Sequence, residues 1–237
     1  MKSTSNCIPP RARRTTQLPR QRSNLAPSPE HRHHPLASLG THPNLQVAGG
    51  RKRLESLLAQ PRVAIVGSRH CTYYGREVAG RLSRDLASAG ITILAGLTEG
   101  IEASAHHAAL TVRQATLAVT PGPPHHPYPV TQKHLHAQVL CRGCVVSGTQ
   151  PRKTRPPRDP LQERNRLIAE LAQVVILVEA TAGAAAMVTA ETALDLNRDV
   201  VAVPGRITDE SARGPNQLIR DGATPVLDTN DVLDLLR

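Results

Sequence analysis

The chain has 237 residues, which is long enough for one domain of moderate size with its own core. Its formal net charge is +10 at pH 7. Phe and Trp are absent and Tyr occurs three times, which excludes a core stabilised by large aromatic side chains. No apolar run is long enough for a membrane span or has the form of a signal peptide. We therefore expect a cytoplasmic protein without membrane contact, whose four cysteines are thiols.

Residues 1–60 are rich in Pro, Arg, Ser and His and are predicted to be disordered. They carry ten Lys and Arg against two Glu, a balance of +8, so the other 177 residues sum to only +2. Such a segment buries too little apolar surface to offset the entropy lost on ordering. One short helix is predicted near 51–59, where Leu54, Leu57 and Leu58 give the first apolar period. The folded domain is therefore placed at 61–237.

From residue 62 onward, short apolar runs alternate with helical stretches, which is typical of a parallel sheet with helices on both faces. The first run ends in Gly67-Ser68-Arg69, which describes a buried strand leading into a turn that can receive an anion. A tight turn with a solvated arginine is the alternative. The predicted strands are 62–66, 91–95, 115–119, 144–147, 174–178, 200–203 and 224–227. Helices are predicted before Gly90, after Gly100 and at 131–141, 161–172, 187–197, 215–221 and 230–236.

This order predicts an α/β fold with an extended Rossmann-like, doubly wound, mostly parallel sheet. Ligands of such sheets bind beyond the carboxyl ends of the strands, where the strand order reverses. The segments expected at that edge are 67–69, 96–100, 148, 181–183 and 204–206. Seven Lys and Arg between residues 142 and 166 face only two acidic residues, a local charge that suits a nucleic acid. A solvated linker at 150–158 would look similar.

Four segments carry a resemblance to a known family. They are Val-Gly-Ser-Arg at 66–69, Ala-Gly-Leu-Thr-Glu-Gly-Ile-Glu-Ala-Ser-Ala-His at 95–106, Glu-Arg-Asn-Arg-Leu-Ile-Ala at 163–169, and Val-Pro-Gly at 203–205 with Gly-Pro-Asn-Gln-Leu-Ile-Arg-Asp-Gly-Ala at 214–223. In order and spacing they closely resemble the DNA-processing protein A family, also called DprA or Smf, over roughly residues 60–228.

The resemblance implies a domain that binds single-stranded DNA without catalysis and without a cofactor, delivers it to the recombinase RecA, and acts in natural transformation and recombination. It also implies DNA contacts from Arg69, from the Arg164-Asn165-Arg166 signature and from the vicinity of Lys133. Bases need flat stacking partners, and these are scarce: Tyr73, Tyr74, Tyr128, His125, His126 and arginine planes. The sequence leaves a homodimer open. The predicted DNA-binding residues are Gly67, Ser68, Arg69, Gly96, Gly100, Lys133, Arg164, Asn165, Arg166, Gly183 and Gly205.

Several positions depart from the family pattern. Glu99 stands where the family usually has Arg, Glu102 where it has Asp, and Leu161 near a usual Phe. A carboxylate beside the edge that would bind DNA repels phosphates, so these departures imply weakened DNA binding or a decayed gene product. Two members of the signature also have structural interpretations, because Asn165 could fix local backbone and Arg166 could pair with Glu179.

The rival function is a nucleotide phosphoribohydrolase of the same fold. Its Pro-Gly-Gly-x-Gly-Thr loop and catalytic Glu would fall at 180–191, where this chain has Glu191 but lacks the glycine pairs that bring amides close to a phosphate. A nucleotide-sensing module without DNA is a third option. Zinc at Cys141-x-x-Cys144 with nearby histidines is disfavoured because Cys144 begins a strand, and catalysis by His106 or His107 is disfavoured because no nucleophile elbow accompanies them.

Overall fold

The computed structural model describes residues 45–148 and 159–237. Eight strands in these ranges form one sheet in the order β1-β5-β4-β3-β2-β6-β7-β8. β1 pairs antiparallel with β5, and every other neighbouring pair is parallel. The strands are β1 (Gln46–Ala48), β2 (Arg62–Val66), β3 (Thr92–Gly96), β4 (Thr116–Val119), β5 (Cys144–Ser147), β6 (Val174–Leu177), β7 (Asp199–Ala202) and β8 (Thr224–Pro225).

Helices cover both faces of this sheet. They are α1 (Arg51–Ala59), α2 (Tyr73–Ser88), α3 (Ile101–Thr111), α4 (Lys133–Arg142), α5 (Pro160–Leu171), α6 (Ala185–Asp195), α7 (Arg213–Arg220) and α8 (Asn230–Leu233), with 3₁₀ turns at Val130–Gln132, Glu210–Ala212 and Asp234–Leu236. Buried residues of α1, α5, α6 and α7 form one apolar cluster, and those of α2, α3 and α8 form another. The predicted Rossmann-like, doubly wound fold is confirmed.

The alternation of side chains along β2 shows how the sequence builds two cores. All five residues of β2 are buried, because a central parallel strand is covered on both faces. Ala64 and Val66 join the first cluster, whereas Val63 and Ile65 join the second. Both clusters consist of aliphatic side chains and small residues, as the composition requires. No helix within residues 45–148 and 159–237 is long and apolar enough to cross a lipid bilayer.

The folded unit begins earlier than the boundary predicted at residue 60, which is a correction. β1 pairs with β5, and the apolar stripe of α1 places Leu54 and Leu58 in the core with no exposed surface. Leucines at i, i+3 and i+4 give a helix one apolar face, and that face finds the sheet here. The disorder predicted for residues 1–44 and the linker predicted at 150–158 concern residues that the structure does not describe. The predicted boundaries of the seven later strands agree with the structure to within two residues.

Candidate nucleic-acid interface

The strand order reverses between β2 and β6, and the loops after these strands are joined there by backbone hydrogen bonds. The Ser68 amide donates to the Glu179 carbonyl oxygen at 2.7 Å. The Ile101 amide, at the start of α3, donates to the Ser68 carbonyl oxygen at 3.1 Å. The segment 67–69 is therefore held from both sides at the carboxyl edge of the sheet, where open α/β sheets bind their ligands.

Two predicted glycines are required by the packing of these loops. A Cβ on Gly67 would lie 2.9 Å from the Glu179 carbonyl oxygen. Gly100 has φ of +80°, a conformation that side chains disfavour, and a Cβ there would overlap the Ser68 and Arg69 carbonyl oxygens. Both glycines thus serve the close approach of neighbouring loops, which fixes the backbone that carries Arg69.

Three exposed cations border this edge. They are Arg69 in the loop after β2, Lys133 at the first residue of α4, and Arg206 in the loop after β7. Within the described residues, none of these three side chains makes a hydrogen bond or an ion pair. A cation without an internal partner, carried on a fixed backbone, is free to bind an anionic ligand.

An acidic group lies among these cations. The Thr131 hydroxyl donates to the exposed Glu99 carboxylate at 2.8 Å, which ties the loop after β3 to the turn that precedes Lys133. Glu99 thus lies at the same edge of the sheet as the basic residues. Its carboxylate reduces the net positive charge available to a polyanion.

The amino terminus of α2 is filled by a carboxylate of the chain itself. Glu179, which is 3% exposed, accepts hydrogen bonds from the Thr72 amide at 2.9 Å and from the Thr72 hydroxyl. A Cβ on Gly75 would overlap this carboxylate. In dinucleotide-binding folds the same helix terminus receives a phosphate, so here that position is already occupied. Sequence reasoning missed this role, although an acidic residue directly after the apolar run 174–178 is a signal for it.

Tyr74 connects the start of α2 to the loop after β7. Its hydroxyl donates to the Pro204 carbonyl oxygen at 3.1 Å. Burial, with a smaller contribution from the negative charge of Glu179, raises the pKa of the Tyr74 hydroxyl, which keeps it a donor. The loop containing Arg206 is thereby attached to the start of α2, which directly follows the loop containing Arg69.

Arg164 has a different environment from the one predicted, and this is the main correction to the site. The residue is 6% exposed, and its guanidinium forms an ion pair with the Glu102 carboxylate, which is 4% exposed. The guanidinium fills the space where Gly96 would carry a Cβ. Burial alone would raise the pKa of Glu102, but Arg164 and the hydrogen bonds from Thr98 outweigh it and lower that pKa. Arg164 and Gly96 therefore stabilise the edge from inside, and almost none of the Arg164 side chain is open to a surface ligand in this structure.

The other two residues of the Arg-Asn-Arg signature also have partners within the chain. Asn165 is buried, accepts from Arg164 at 3.0 Å and donates to the Ala185 carbonyl oxygen at 3.3 Å, so it fixes local backbone. Arg166 is half-exposed and pairs with Glu170 at 2.7 Å. The suggested partner Glu179 is wrong, because Glu170 lies one helical turn from Arg166 on the same face of α5.

The remaining predicted glycines, Gly183 and Gly205, have different surroundings. Gly183 is exposed, has φ of +76°, and has open space around it. Gly205 is held by Asn216, whose side chain donates to its carbonyl oxygen at 2.9 Å and accepts from its amide at 3.1 Å. A Cβ on Gly205 would lie 2.6 Å from that of Ala212. Gly205 is thus a packing residue, whereas Gly183 leaves backbone open to a ligand.

His106 is buried beneath the edge, between β3 and β4. Its Nε2 lies 2.9 Å from the Gly96 carbonyl oxygen and its Nδ1 lies 2.8 Å from the Thr116 hydroxyl. Burial lowers its pKa to about 4, against the opposing attraction of Glu102. Because a carbonyl oxygen only accepts, the proton of the neutral ring belongs on Nε2. This is a packing role, as the sequence favoured over catalysis.

The Cys141-x-x-Cys144 pair is divided between surface and core. Cys141 is exposed, whereas Cys144 is buried in β5 and directs its thiol at the Gly50 carbonyl oxygen. Among residues 45–148 and 159–237, no group of three or more His, Cys, Asp or Glu side chains is arranged to hold a metal ion.

Comparison with known proteins identifies the family to which the chain is similar. The family described as DNA recombination-mediator protein A matches residues 32–237. The DNA processing protein DprA of Bacillus subtilis is 32% identical over 182 residues, which are 76% of this chain and 61% of that protein. The chain therefore spans about three fifths of the length of that relative.

Two solved structures share the fold and are also similar to this chain in sequence. DprA from Streptococcus pneumoniae superposes with a TM-score of 0.72 and 33% identity, covering 81% of this chain and 66% of that chain. DprA from Helicobacter pylori, described with a single-stranded DNA binding mode, superposes with a TM-score of 0.70 and 26% identity, covering 81% and 86%. The match to the family over residues 32–237 and these relatives show that the chain belongs to the DprA/Smf family of DNA-processing proteins.

Proposed function

We propose that the carboxyl edge of the sheet binds single-stranded DNA without catalysing a reaction on it. The observation that carries this proposal is the exposed guanidinium of Arg69, which has no partner among the described residues, on a backbone fixed by hydrogen bonds to two neighbouring loops. Because the backbone is already fixed, only the side chain of Arg69 has to be ordered when it binds a phosphate, and its planar guanidinium can engage two phosphate oxygens. Lys133 and Arg206 extend the positive charge to either side of Arg69, so a strand can cross the edge with successive phosphates near cations.

The biological setting of this binding is also a proposal. The family description, a recombination mediator, supports a role in which the bound strand is delivered to RecA during natural transformation and recombination. The single-stranded DNA binding mode described for the Helicobacter protein supports the choice of ligand. Because the chain covers only part of its relatives, the activities of the longer proteins are carried over as proposals.

The enzyme alternative finds less support in the geometry. A phosphoribohydrolase of this fold must hold a nucleotide phosphate close to the backbone amides of the loop that precedes α6, but residues 180–184 contain one glycine, Gly183, in place of the glycine pairs. Side chains on this loop keep a phosphate from approaching its amides as closely as glycines would allow. Glu191 is exposed along α6, with no histidine, cysteine or carboxylate cluster for a metal around it among the described residues.

A competition measurement on the full chain tests the proposed function. A labelled single-stranded oligonucleotide should be displaced by the same unlabelled strand at concentrations at least about tenfold lower than by its duplex. Nucleoside monophosphates in millimolar excess should displace little of it, because one phosphate cannot engage cations on several loops. Fluorescence anisotropy gives all three competition curves. Equal displacement by strand and duplex, or efficient displacement by the mononucleotide, would contradict the proposal.

A further inference from the structure

All three tyrosines of the chain lie at the carboxyl edge of the sheet. The chain has no Phe and no Trp, so these tyrosines are its only large aromatic rings apart from histidine. Tyr73 and Tyr74 begin α2 directly after the loop of Arg69, and Tyr128 lies in the loop that follows β4. They are 82%, 48% and 42% exposed. Aromatic side chains usually dominate cores, but here the core has none of them.

The two adjacent tyrosines have different surroundings. Tyr74 is tied to the Pro204 carbonyl oxygen through its hydroxyl, so its ring has a structural role between α2 and the loop after β7. Tyr73 makes no hydrogen bond within the described residues and exposes most of its ring. Tyr73 therefore adds little buried surface to the fold. It lies on the same edge as Arg69, which has no hydrogen-bond or ion-pair partner among the described residues.

The backbone that carries Tyr73 is nevertheless fixed. Tyr73 is the first residue of α2, and its neighbour Thr72 caps the helix by accepting from the Gly75 amide at 3.1 Å. Glu179 holds Thr72 in turn. The ring therefore projects from a rigid helix terminus four residues after Arg69, which lowers the entropy lost when a ligand packs against it.

We propose that Tyr73 is the stacking platform for a DNA base whose neighbouring phosphate is held by Arg69. This inference rests on the proposed function and adds to it a contact with the base in addition to the phosphate backbone. Stacking on a ring requires a base that is not already paired and stacked in a duplex, so the contact selects single strands. Because every base has a flat face, it tolerates any sequence.

The test compares two ligands with the same number of phosphates. One is an oligothymidylate, and the other is an abasic strand of equal length. In the full chain, Tyr73→Ala should weaken binding of oligothymidylate about 5- to 150-fold, the range that corresponds to removal of one base–aromatic stack. Binding of the abasic strand should change less than about twofold. Tyr73→Phe, which keeps the ring, should retain wild-type affinity for both strands, whereas Tyr73→Leu should behave like the alanine variant.

Each result separates the stacking contact from the function on which it rests. If Tyr73→Ala and Tyr73→Leu bind oligothymidylate as tightly as the wild type, the stacking proposal is overturned while the DNA-binding function stands. Equal losses of affinity for both strands would also overturn it, since Tyr73 would then act on the phosphate backbone of the DNA or on the protein fold. If the wild type binds neither strand, the proposed function fails and the stacking contact fails with it.

Discussion

Replacing Arg164 with alanine is expected to lower the free energy of unfolding by about 3–5 kcal/mol, the cost of leaving one partner of a buried ion pair uncompensated. The reason is Glu102, which is 4% exposed and has the Arg164 guanidinium as its counterion. Without that charge, burial would raise the pKa of the Glu102 carboxyl. Urea-induced unfolding of the full chain, monitored by circular dichroism, measures this loss.

The neighbouring arginine of the same motif provides the matched control. Arg166→Ala removes a half-exposed pair with Glu170 and should cost less than about 1 kcal/mol. The double variant Arg164→Ala with Glu102→Gln should be more stable than Arg164→Ala alone, because the uncompensated carboxylate is gone. Equal, small losses for Arg164→Ala and Arg166→Ala would show that Arg164 is not buried in an ion pair and would return it to the candidate DNA contacts.

The second large effect concerns pH and His106. In the folded chain the pKa of His106 is about 4, whereas in the unfolded chain it is near the ordinary value of 6.5. Above pH 6.5 both states are neutral and the residue adds no pH dependence. As pH falls from 6.5 to about 4, only the unfolded state binds the proton, so the free energy of unfolding decreases by about 1.4 kcal/mol per pH unit, to a total of about 3 kcal/mol.

His106→Gln isolates this contribution, because glutamine keeps a donor and an acceptor but does not titrate. Between pH 7 and pH 5 the wild type should lose about 2 kcal/mol more than the variant, since all other titrating groups are common to both proteins. This interval lies above the ordinary pKa of the carboxyl groups, so the Glu102 pair contributes little to it. Parallel stability curves for the two proteins would mean that His106 binds its proton equally well in both states.

The parallel strands of this fold could be predicted from the sequence because each is a short apolar run that ends in a turn. β1 could not, since it has only three residues and its partner β5 follows almost a hundred residues later. The leucines of α1 were visible as a stripe, but a stripe of nine residues within a Pro-rich and Arg-rich segment does not reveal what it packs against.

In the candidate site, too, some features could be predicted from the sequence and others could not. The position of Arg69 follows from local sequence, because a strand, a glycine and a polar turn must place it at the carboxyl edge. The burial of Arg164 does not, since its counterion Glu102 lies 62 residues earlier and an arginine on an amphipathic helix looks the same whether it faces water or a carboxylate. Similarly, the adjacent Tyr73 and Tyr74 are indistinguishable until the loop of Pro204 is placed beside one of them.

The affinity for single-stranded DNA as a function of salt, measured for the wild type, Arg69→Ala and Arg84→Ala, tests the central claim most directly. Arg84 is exposed near the far end of α2 and, among the described residues, makes no hydrogen bond or ion pair, so it matches Arg69 in charge but lies away from the edge. Arg69→Ala should weaken binding by about 1–3 kcal/mol. It should also reduce the slope of log affinity against log salt by about 0.7, the loss of one phosphate contact. Arg84→Ala should change neither quantity, and identical behaviour of the two variants would contradict the claim that the carboxyl edge is the DNA-binding surface.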